Sequence, residues 1–119
     1  MSQTLAGRGP IEFEAHTAGD TLTAAESGTG HTNTGASGAV ALVLPPATVG
    51  LNFYFYVNAT QELRIDPSGT QTIALPSSNV QQAAGAYIVA DAVGEWVRII
   101  CVVAGTWSVF GYLGTWTAV

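Results

Sequence analysis

Residues 51–58, LNFYFYVN, alternate strictly between two kinds of side chain. One side of the run carries leucine, valine and two phenylalanines, and the other carries Tyr54 and Tyr56 between two asparagines. Only a β-strand turns such period-two alternation into two distinct faces. Because the second face is itself aromatic, the run predicts a strand with the core on one side and another subunit on the other.

Short runs of the same kind recur along the chain and predict further strands, separated by glycine, proline and polar turn residues. They occupy residues 11–15, 21–25, 39–44, 62–66, 70–75, 86–90, 95–104 and 106–113, with a final edge strand in 114–119. The glycine-rich segment 27–38 and the segment 77–86 are predicted loops, since neither has an apolar face at helical spacing. The pattern predicts an all-β fold: an antiparallel sandwich or jelly roll, or a small barrel.

The 119 residues predict a single domain with an extended N-terminal arm. Residues 1–10 are small and polar and include two glycines and a proline, so we expect them to lie outside the core. The predicted division is an arm with the first short strand at 1–18, followed by a β-sandwich or jelly-roll body at 19–119.

The chain carries little charge for a domain of this size. Charged residues make up 9% of it and lysine is absent, whereas roughly a quarter is typical of soluble domains. Much of the surface is therefore predicted to be neutral or covered by other subunits. The net charge of −5 disfavours nucleic acid and anionic lipid as partners, because both attract basic patches. The apolar region 39–57 alternates and contains two prolines, so no membrane span is predicted, and no secretory signal opens the chain.

No arrangement of side chains in the sequence predicts catalysis or a bound cofactor. Glu62 and Asp66 share one side of a strand with Arg64 between them, so the arginine is expected to neutralise both carboxylates. A general acid–base pair instead needs two carboxylates in different environments. The single cysteine, Cys101, lies in an apolar run and is predicted to be a buried hydrophobe. A glycan-cleaving enzyme is the least favoured alternative, and its candidate carboxylates are Glu62, Asp66, Asp91 and Glu95.

Two histidines, His16 and His31, are the nitrogen donors available for a metal site, with Asp20 or Glu26 as possible oxygen ligands. The histidines do not share a short spacing, such as the alternate positions of one strand. The sequence therefore predicts no metal ligand.

The strand predicted at 95–104 carries a second mixed face, with Trp96 and Arg98 on one side. We expect a cation–π contact between these two residues, and an arginine on an apolar side needs a partner in the fold or at an interface. Together with the two tyrosines of residues 51–58, they predict a subunit interface formed by Tyr54, Tyr56, Trp96 and Arg98. An aromatic platform for sugar rings is the alternative interpretation.

Six segments of the chain resemble small β-rich virion proteins of tailed bacteriophages. They are 21–26 (TLTAAE), 31–36 (HTNTGA), 40–45 (VALVLP), 49–53 (VGLNF), 63–67 (LRIDP) and 114–117 (GTWT). The resemblance spans roughly residues 19–119. In that group such segments occur in stand-alone capsid decoration (cement) proteins and in domains of tail fibres or spikes.

The resemblance implies a structural role. A cement protein of this kind is a homotrimer on a three-fold position of the capsid lattice, where it bridges neighbouring major capsid subunits and stabilises the shell. The implied location is the outer capsid surface, after assembly in the host cytoplasm, and no cofactor is implied. The arm and the polar loop are the expected capsid contacts, through Arg8, Ile11, Phe13, His31 and Asn33. The alternative is a receptor- or glycan-binding module of a tail fibre or head fibre.

Overall fold

The computed structural model describes residues 11–119 and places them in two β-sheets around one shared core. The strands are β1 (Phe13–Ala15), β2 (Asp20–Thr21), β3 (Gly30–Thr32), β4 (Val40–Val43), β5 (Asn52–Tyr56), β6 (Leu63–Asp66), β7 (Thr72–Leu75), β8 (Val80–Gln81), β9 (Ile88–Ala90), β10 (Trp96–Ile100), β11 (Thr106–Leu113) and β12 (Thr117–Ala118). The one helical element in this part of the chain is a 3₁₀ turn at Ala24–Glu26. The predicted all-β class and single-domain sandwich are confirmed.

The two sheets are mixed, which differs from the antiparallel arrangement predicted. One sheet has seven strands in the order β1-β3-β5-β10-β11-β7-β8, and the other has five in the order β12-β9-β6-β4-β2. The first six strands alternate between the sheets, so β1, β3 and β5 run parallel in one and β2, β4 and β6 run parallel in the other. Each connection among these six strands crosses to the opposite sheet. After two such connections the chain is back in the first sheet and runs in the same direction as before, as parallel pairing requires.

The alternation of residues 51–58 decides which side of the seven-stranded sheet faces the core. Phe53 and Phe55 in β5 are buried, whereas Tyr54 is half-buried on the opposite side. Trp107 in β11 is the largest fully buried side chain, and its ring centroid lies 5.9 Å from that of Phe53. Each large apolar side chain buried in this way stabilises the fold by about 1.5–3 kcal/mol. The five-stranded sheet adds aliphatic side chains to the same core: Leu42, Leu63, Ile65 and Ile88.

Two local predictions differ from the structure because of turn chemistry. The strand predicted at 21–25 ends at Thr21, and the chain then forms the 3₁₀ turn. Thr23 and Glu26 have the spacing of a capping box, and the Thr23 backbone N–H donates to Glu26 Oε1 over 2.8 Å. The loop predicted at 77–86 contains β8, a two-residue strand that pairs with β7 at the edge of its sheet.

The described part of the predicted arm, residues 11–18, contributes β1 to the seven-stranded sheet. β1 pairs with β3, and the exposed Phe13 ring lies over Gly30, where any side chain would occupy the space of the ring. His16, which follows β1, is buried. The rest of the predicted arm, residues 1–10 with the capsid-contact candidate Arg8, lies outside the described residues.

Candidate functional site

The outer side of the seven-stranded sheet carries the candidate interface. Strand pairing places Tyr54 directly beside Arg98 and Tyr56 directly beside Trp96, on the side opposite the core. The four residues predicted to form a subunit interface therefore lie together. Three more side chains extend this surface, which we call the aromatic face, and its members are Phe13, Tyr54, Tyr56, Trp96, Arg98, Phe110 and Leu113.

The aromatic face is broad and apolar. Phe13, Phe110 and Leu113 are 55%, 52% and 57% exposed. The face crosses the strands from β1 to β11, which at a spacing of about 4.8 Å makes it roughly 20 Å wide. Extended apolar patches on a protein surface mark sites of interaction with other molecules.

Sequence alternation alone does not identify Phe110 and Leu113 as members of the aromatic face, because β11 contains a β-bulge. The register between β10 and β11 shifts beside Gly111, which has a φ of 153° and lies beneath the ring of Trp96. A Cβ at this position would lie only 3.1 Å from the nearest atom of that ring. A glycine inside an alternating strand is the sequence signal that indicates such a bulge.

Arg98 lies on the aromatic face without an anionic partner in the described part of the chain. Its guanidinium carbon is 5.0 Å from the ring centroid of Tyr54, and its Nε is buried with no hydrogen-bond acceptor among residues 11–119. The cation–π contact therefore forms with Tyr54 across the strands, and the predicted contact with Trp96 is replaced. Directly paired residues are about 5 Å apart, whereas alternate residues of one strand are about 7 Å apart.

Arg64 does not neutralise the two carboxylates that flank it in sequence, so that prediction is wrong. Its guanidinium carbon lies over the ring of Tyr87, 4.0 Å from the ring centroid. Among residues 11–119, neither Glu62 nor Asp66 forms an ion pair with it. Pairing of β6 with β9 brings the aromatic ring to the arginine, and sequence spacing along one strand cannot show such a contact.

Glu95 and Cys101 both have structural roles in the fold. Glu95 accepts the backbone N–H groups of Ala92 and Thr115, over 2.9 Å and 2.7 Å, and so holds two loops at the start of β10. Cys101 is confirmed as a buried side chain, and its Sγ donates to the carbonyl of Val103 over 3.3 Å. Burial raises the pKa of the Cys101 thiol, which makes it less reactive.

Strand pairing brings together three donor side chains that lie apart in the sequence. Glu14 in β1 pairs with His31 in β3, and His16 follows Glu14 at the alternate position on the same side. His16 Nε2 lies 2.9 Å from His31 Nδ1, and Glu14 Oε1 lies 3.6 Å and 3.7 Å from these two nitrogens. The sequence prediction of no metal ligand weighed the two histidines with Asp20 and Glu26 and did not include Glu14. The Glu-x-His spacing within one strand is the signal that identifies the cluster.

His31 and Asn33 do not form the predicted capsid contact, because both side chains are fully buried. Asn33 Oδ1 accepts the backbone N–H groups of Asn58 and Ala59, and its Nδ2 donates to the carbonyls of Ala59 and Gln61. These bonds, 2.7–3.2 Å long, join the loop after β3 to the loop between β5 and β6. The other predicted capsid contacts within residues 11–119 are exposed: Ile11 and Phe13.

His31 lies in surroundings that disfavour its charged form. Burial, and after it the neighbouring His16, lower the pKa of His31 to about 4, and Glu26 and Asp20 oppose this shift only in part. His31 is therefore neutral at pH 7. It also stays neutral at pH values below about 6.5, the pKa of an unperturbed histidine.

We expect the free energy of unfolding to fall by about 2 kcal/mol between roughly pH 7.5 and pH 5. The pKa of His31 is about 4 in the folded chain, against about 6.5 in the unfolded chain. The unfolded chain therefore binds the proton more tightly, so this stability is present above about pH 6.5 and is lost as the pH falls toward 4. Urea unfolding in buffer with EDTA measures the effect, and an NMR titration of the imidazole C–H signals identifies His31. An imidazole signal from His31 that titrates near pH 6.5 would contradict the prediction.

No protein-family model matches the chain, and no curated protein matches its sequence. Among residues 11–119 there is no helix with the length and apolar character needed to cross a membrane. The aromatic face and the cluster of Glu14, His16 and His31 are the two candidate functional sites among the described residues.

Proposed function

We propose that the protein is a capsid decoration (cement) protein of a tailed bacteriophage, which binds the outer capsid surface as a homotrimer and stabilises the shell. The observation that carries the proposal is the aromatic face, a broad apolar surface on the larger sheet. A compact β body with one apolar side suits a protein that holds other subunits in place. The trimer and the capsid partner come from the resemblance of the sequence to phage virion proteins.

The aromatic face is the proposed interface between the three subunits. A cyclic trimer forms by head-to-tail contacts, so the aromatic face of one subunit meets a different surface of the next. Arg98 then needs a carboxylate from that surface, and the chain has eight acidic residues against three arginines. Aromatic side chains and arginine are enriched at the centres of protein interfaces, which matches the composition of this face.

The proposed contact with the major capsid protein lies at the start of the described residues. Ile11 and Phe13 are both exposed, and among residues 11–119 β1 is the edge strand of the seven-stranded sheet, so Phe13 lies where the aromatic face borders the proposed capsid contact. An edge strand offers unpaired backbone groups to a partner in addition to its side chains. Arg8 precedes this strand in the sequence and is proposed to contribute its charge to the same contact.

A receptor- or glycan-binding module of a tail fibre or head fibre is the second candidate. The observation that favours it is the pairing of Tyr56 with Trp96, which places two large rings side by side on the outer surface. Such rings combine an apolar body with a polar tip and suit partly polar ligands. This candidate requires the aromatic face to stay accessible in the native oligomer, whereas the cement protein buries it.

The first test is the mass of the purified protein by light scattering, followed by mixing with expanded capsids that lack it. A mass three times that of the 12.2 kDa chain is expected, together with saturable binding that raises the resistance of the capsids to heat. A protein that ignores capsids but binds cell-surface polysaccharide would instead support the fibre module.

Phe110→Asp is expected to convert the trimer into monomers and to reduce capsid occupancy. Phe110 is exposed in the single chain, so aspartate leaves the core intact but puts a charge inside the proposed interface. Loss of an aromatic hot-spot contact from a protein interface costs about 2 kcal/mol or more, roughly 30-fold in affinity. Val49→Asp is the matched control, because Val49 is also exposed but lies in the connection between β4 and β5. Equal masses for the two variants would show that the interface lies elsewhere.

A further inference from the structure

We propose that Glu14, His16 and His31 form a binding site for a divalent transition-metal cation, of which Zn²⁺ fits best. The proposal stands on the positions of three donor atoms and on the hydrogen bonds of the two imidazoles, and it does not depend on the proposed function. The bound cation joins the edge strand β1 to its neighbour β3, because each strand supplies part of the site.

The three donor atoms form a triangle of the size that a tetrahedral metal requires. Its edges are 2.9 Å between His16 Nε2 and His31 Nδ1, and 3.6 Å and 3.7 Å from these nitrogens to Glu14 Oε1. Bonds of about 2.0–2.1 Å to a tetrahedral Zn²⁺ place neighbouring ligand atoms roughly 3.3–3.4 Å apart. The distance between the two nitrogens is shorter than that value, and the two distances to Glu14 are longer. Shifts of about half an ångström or less therefore complete the geometry.

The hydrogen bonds of His31 leave the correct nitrogen free to bind a metal. The Thr29 hydroxyl donates its only proton to the carbonyl of Glu26 over 2.6 Å. The Thr29 oxygen, 2.8 Å from His31 Nε2, must therefore accept a hydrogen bond from that nitrogen. With its proton on Nε2, His31 presents the lone pair of Nδ1 toward His16 and Glu14.

His16 is oriented toward the same point. Its Nδ1 lies 3.7 Å from Oδ2 of Asp20, and a carboxylate at that nitrogen favours a proton on Nδ1. In this tautomer, which is the one that binds a metal, the lone pair of Nε2 faces His31. Histidine ligands of metals commonly direct their second ring nitrogen to a carboxylate, a carbonyl or a water. Asp20 is the nearest carboxylate for this role at His16, although 3.7 Å is longer than a hydrogen bond, and the Thr29 hydroxyl at 2.8 Å already fills a comparable role for His31.

Two ring nitrogens only 2.9 Å apart need a positive centre between them, since their lone pairs repel. A proton on His16 Nε2 meets this need with one hydrogen bond, but it leaves Glu14 Oε1 at 3.6 Å, beyond hydrogen-bond length. A metal cation satisfies all three donor atoms at once and releases that proton when it binds. Proton and metal therefore compete for the same position.

The cluster is shielded on its inner side and open on its outer side. The ring centroids of Phe53 and Phe55 lie 5.9 Å and 5.8 Å from that of His31. On the outer side, the half-exposed Glu14 borders a depression that two further glutamates also line. These carboxylates attract cations, and the open side leaves a fourth coordination position for water.

Calorimetric titration of the untagged, chelator-treated chain with Zn²⁺ tests the proposal. One ion per chain is expected, and Co²⁺ in its place is expected to give the intense visible absorption of tetrahedral coordination. Glu14→Gln changes an exposed residue and removes one ligand, so Zn²⁺ affinity should fall by roughly 100-fold. Glu62→Gln is the matched control, because it makes the same charge change on an exposed glutamate that lies outside this depression, and it should leave the affinity unchanged.

An unaltered chain that takes up no Zn²⁺ would overturn the proposal, and so would equal affinities in the two glutamate variants. Thermal unfolding gives an independent readout that does not depend on calorimetry. A cation that binds only the folded chain raises Tm, and the increase should be larger for the unaltered protein than for Glu14→Gln. A Tm that Zn²⁺ leaves unchanged would also contradict the site.

Discussion

Replacing Asn33 with alanine is expected to lower the free energy of unfolding by roughly 3 kcal/mol or more. Asn33 is fully buried, and its amide makes four hydrogen bonds to the backbone of the loop between β5 and β6. Alanine leaves two N–H groups and two carbonyls of that loop without this partner. Each buried polar group left unsatisfied costs about 1–3 kcal/mol, and water that enters the space recovers part of the loss.

Two further substitutions separate the loss of these four hydrogen bonds from the general effect of changing a polar side chain. Asn33→Asp keeps the acceptors but aims carboxylate oxygen at the carbonyls of Ala59 and Gln61, so it should also destabilise the fold at neutral pH. Asn58→Ala removes an exposed side-chain amide that hydrogen-bonds, among residues 11–119, to Thr34 alone, and its cost should stay below about 1 kcal/mol. Urea unfolding followed by tryptophan fluorescence measures all three variants. A cost for Asn33→Ala as small as that of Asn58→Ala would mean that the loops are held by other contacts.

Trp107→Ala is expected to lower the free energy of unfolding by about 3–5 kcal/mol, a large part of the roughly 5–15 kcal/mol that is usual for a folded domain. Trp107 is the largest fully buried side chain and packs against Phe53, so its loss opens a large cavity between the sheets. Its indole Nε1 is also buried without a hydrogen-bond acceptor among residues 11–119. Part of the favourable packing energy is therefore offset in the native protein by an unsatisfied donor.

Trp107→Phe tests both the contribution of ring packing and the cost of the unsatisfied indole N–H. Phenylalanine keeps most of the ring and removes the unsatisfied N–H, so the expected cost is no more than about 2 kcal/mol. Phe110→Ala on the aromatic face is the surface control, since this ring is half-exposed in the single chain. Measured by urea unfolding at a concentration low enough to dissociate the proposed trimer, the cost of this variant should stay below about 1 kcal/mol. Equal costs for Trp107→Phe and Trp107→Ala would rule out the cavity as the main source of the loss.

Period-two alternation was sufficient to predict most strands and the inward faces of β5 and β10. It placed Phe53 in the core and grouped Tyr54 with Trp96 correctly, because alternation within a strand depends on local geometry alone. It did not predict the parallel pairs, since the direction of a strand depends on where the preceding connection leads. The crossing of each early connection to the opposite sheet leaves no distinctive residue pattern in loops as short as the one between β1 and β2.

The buried polar side chains were the larger failure of sequence reasoning. His31 and Asn33 lie in a segment rich in glycine, threonine and serine, a composition typical of exposed loops. Their partners, Glu14 in β1 and the backbone near Asn58, are distant in the sequence and come close only when strands pair. A polar residue is read as exposed until its hydrogen-bond partner is known, and spacing along one chain cannot supply that partner.

Because the first six strands alternate between the two sheets, no stretch of consecutive residues in this region forms a sheet by itself. Each parallel pair, such as β1 with β3 or β4 with β6, closes a loop of roughly twenty residues, and the associated chain entropy is lost before the contacts form. Folding should therefore be slower than in a domain built from hairpins, and close to all-or-none. During synthesis, the five-stranded sheet stays incomplete until β12, the last of its strands in chain order, has left the ribosome.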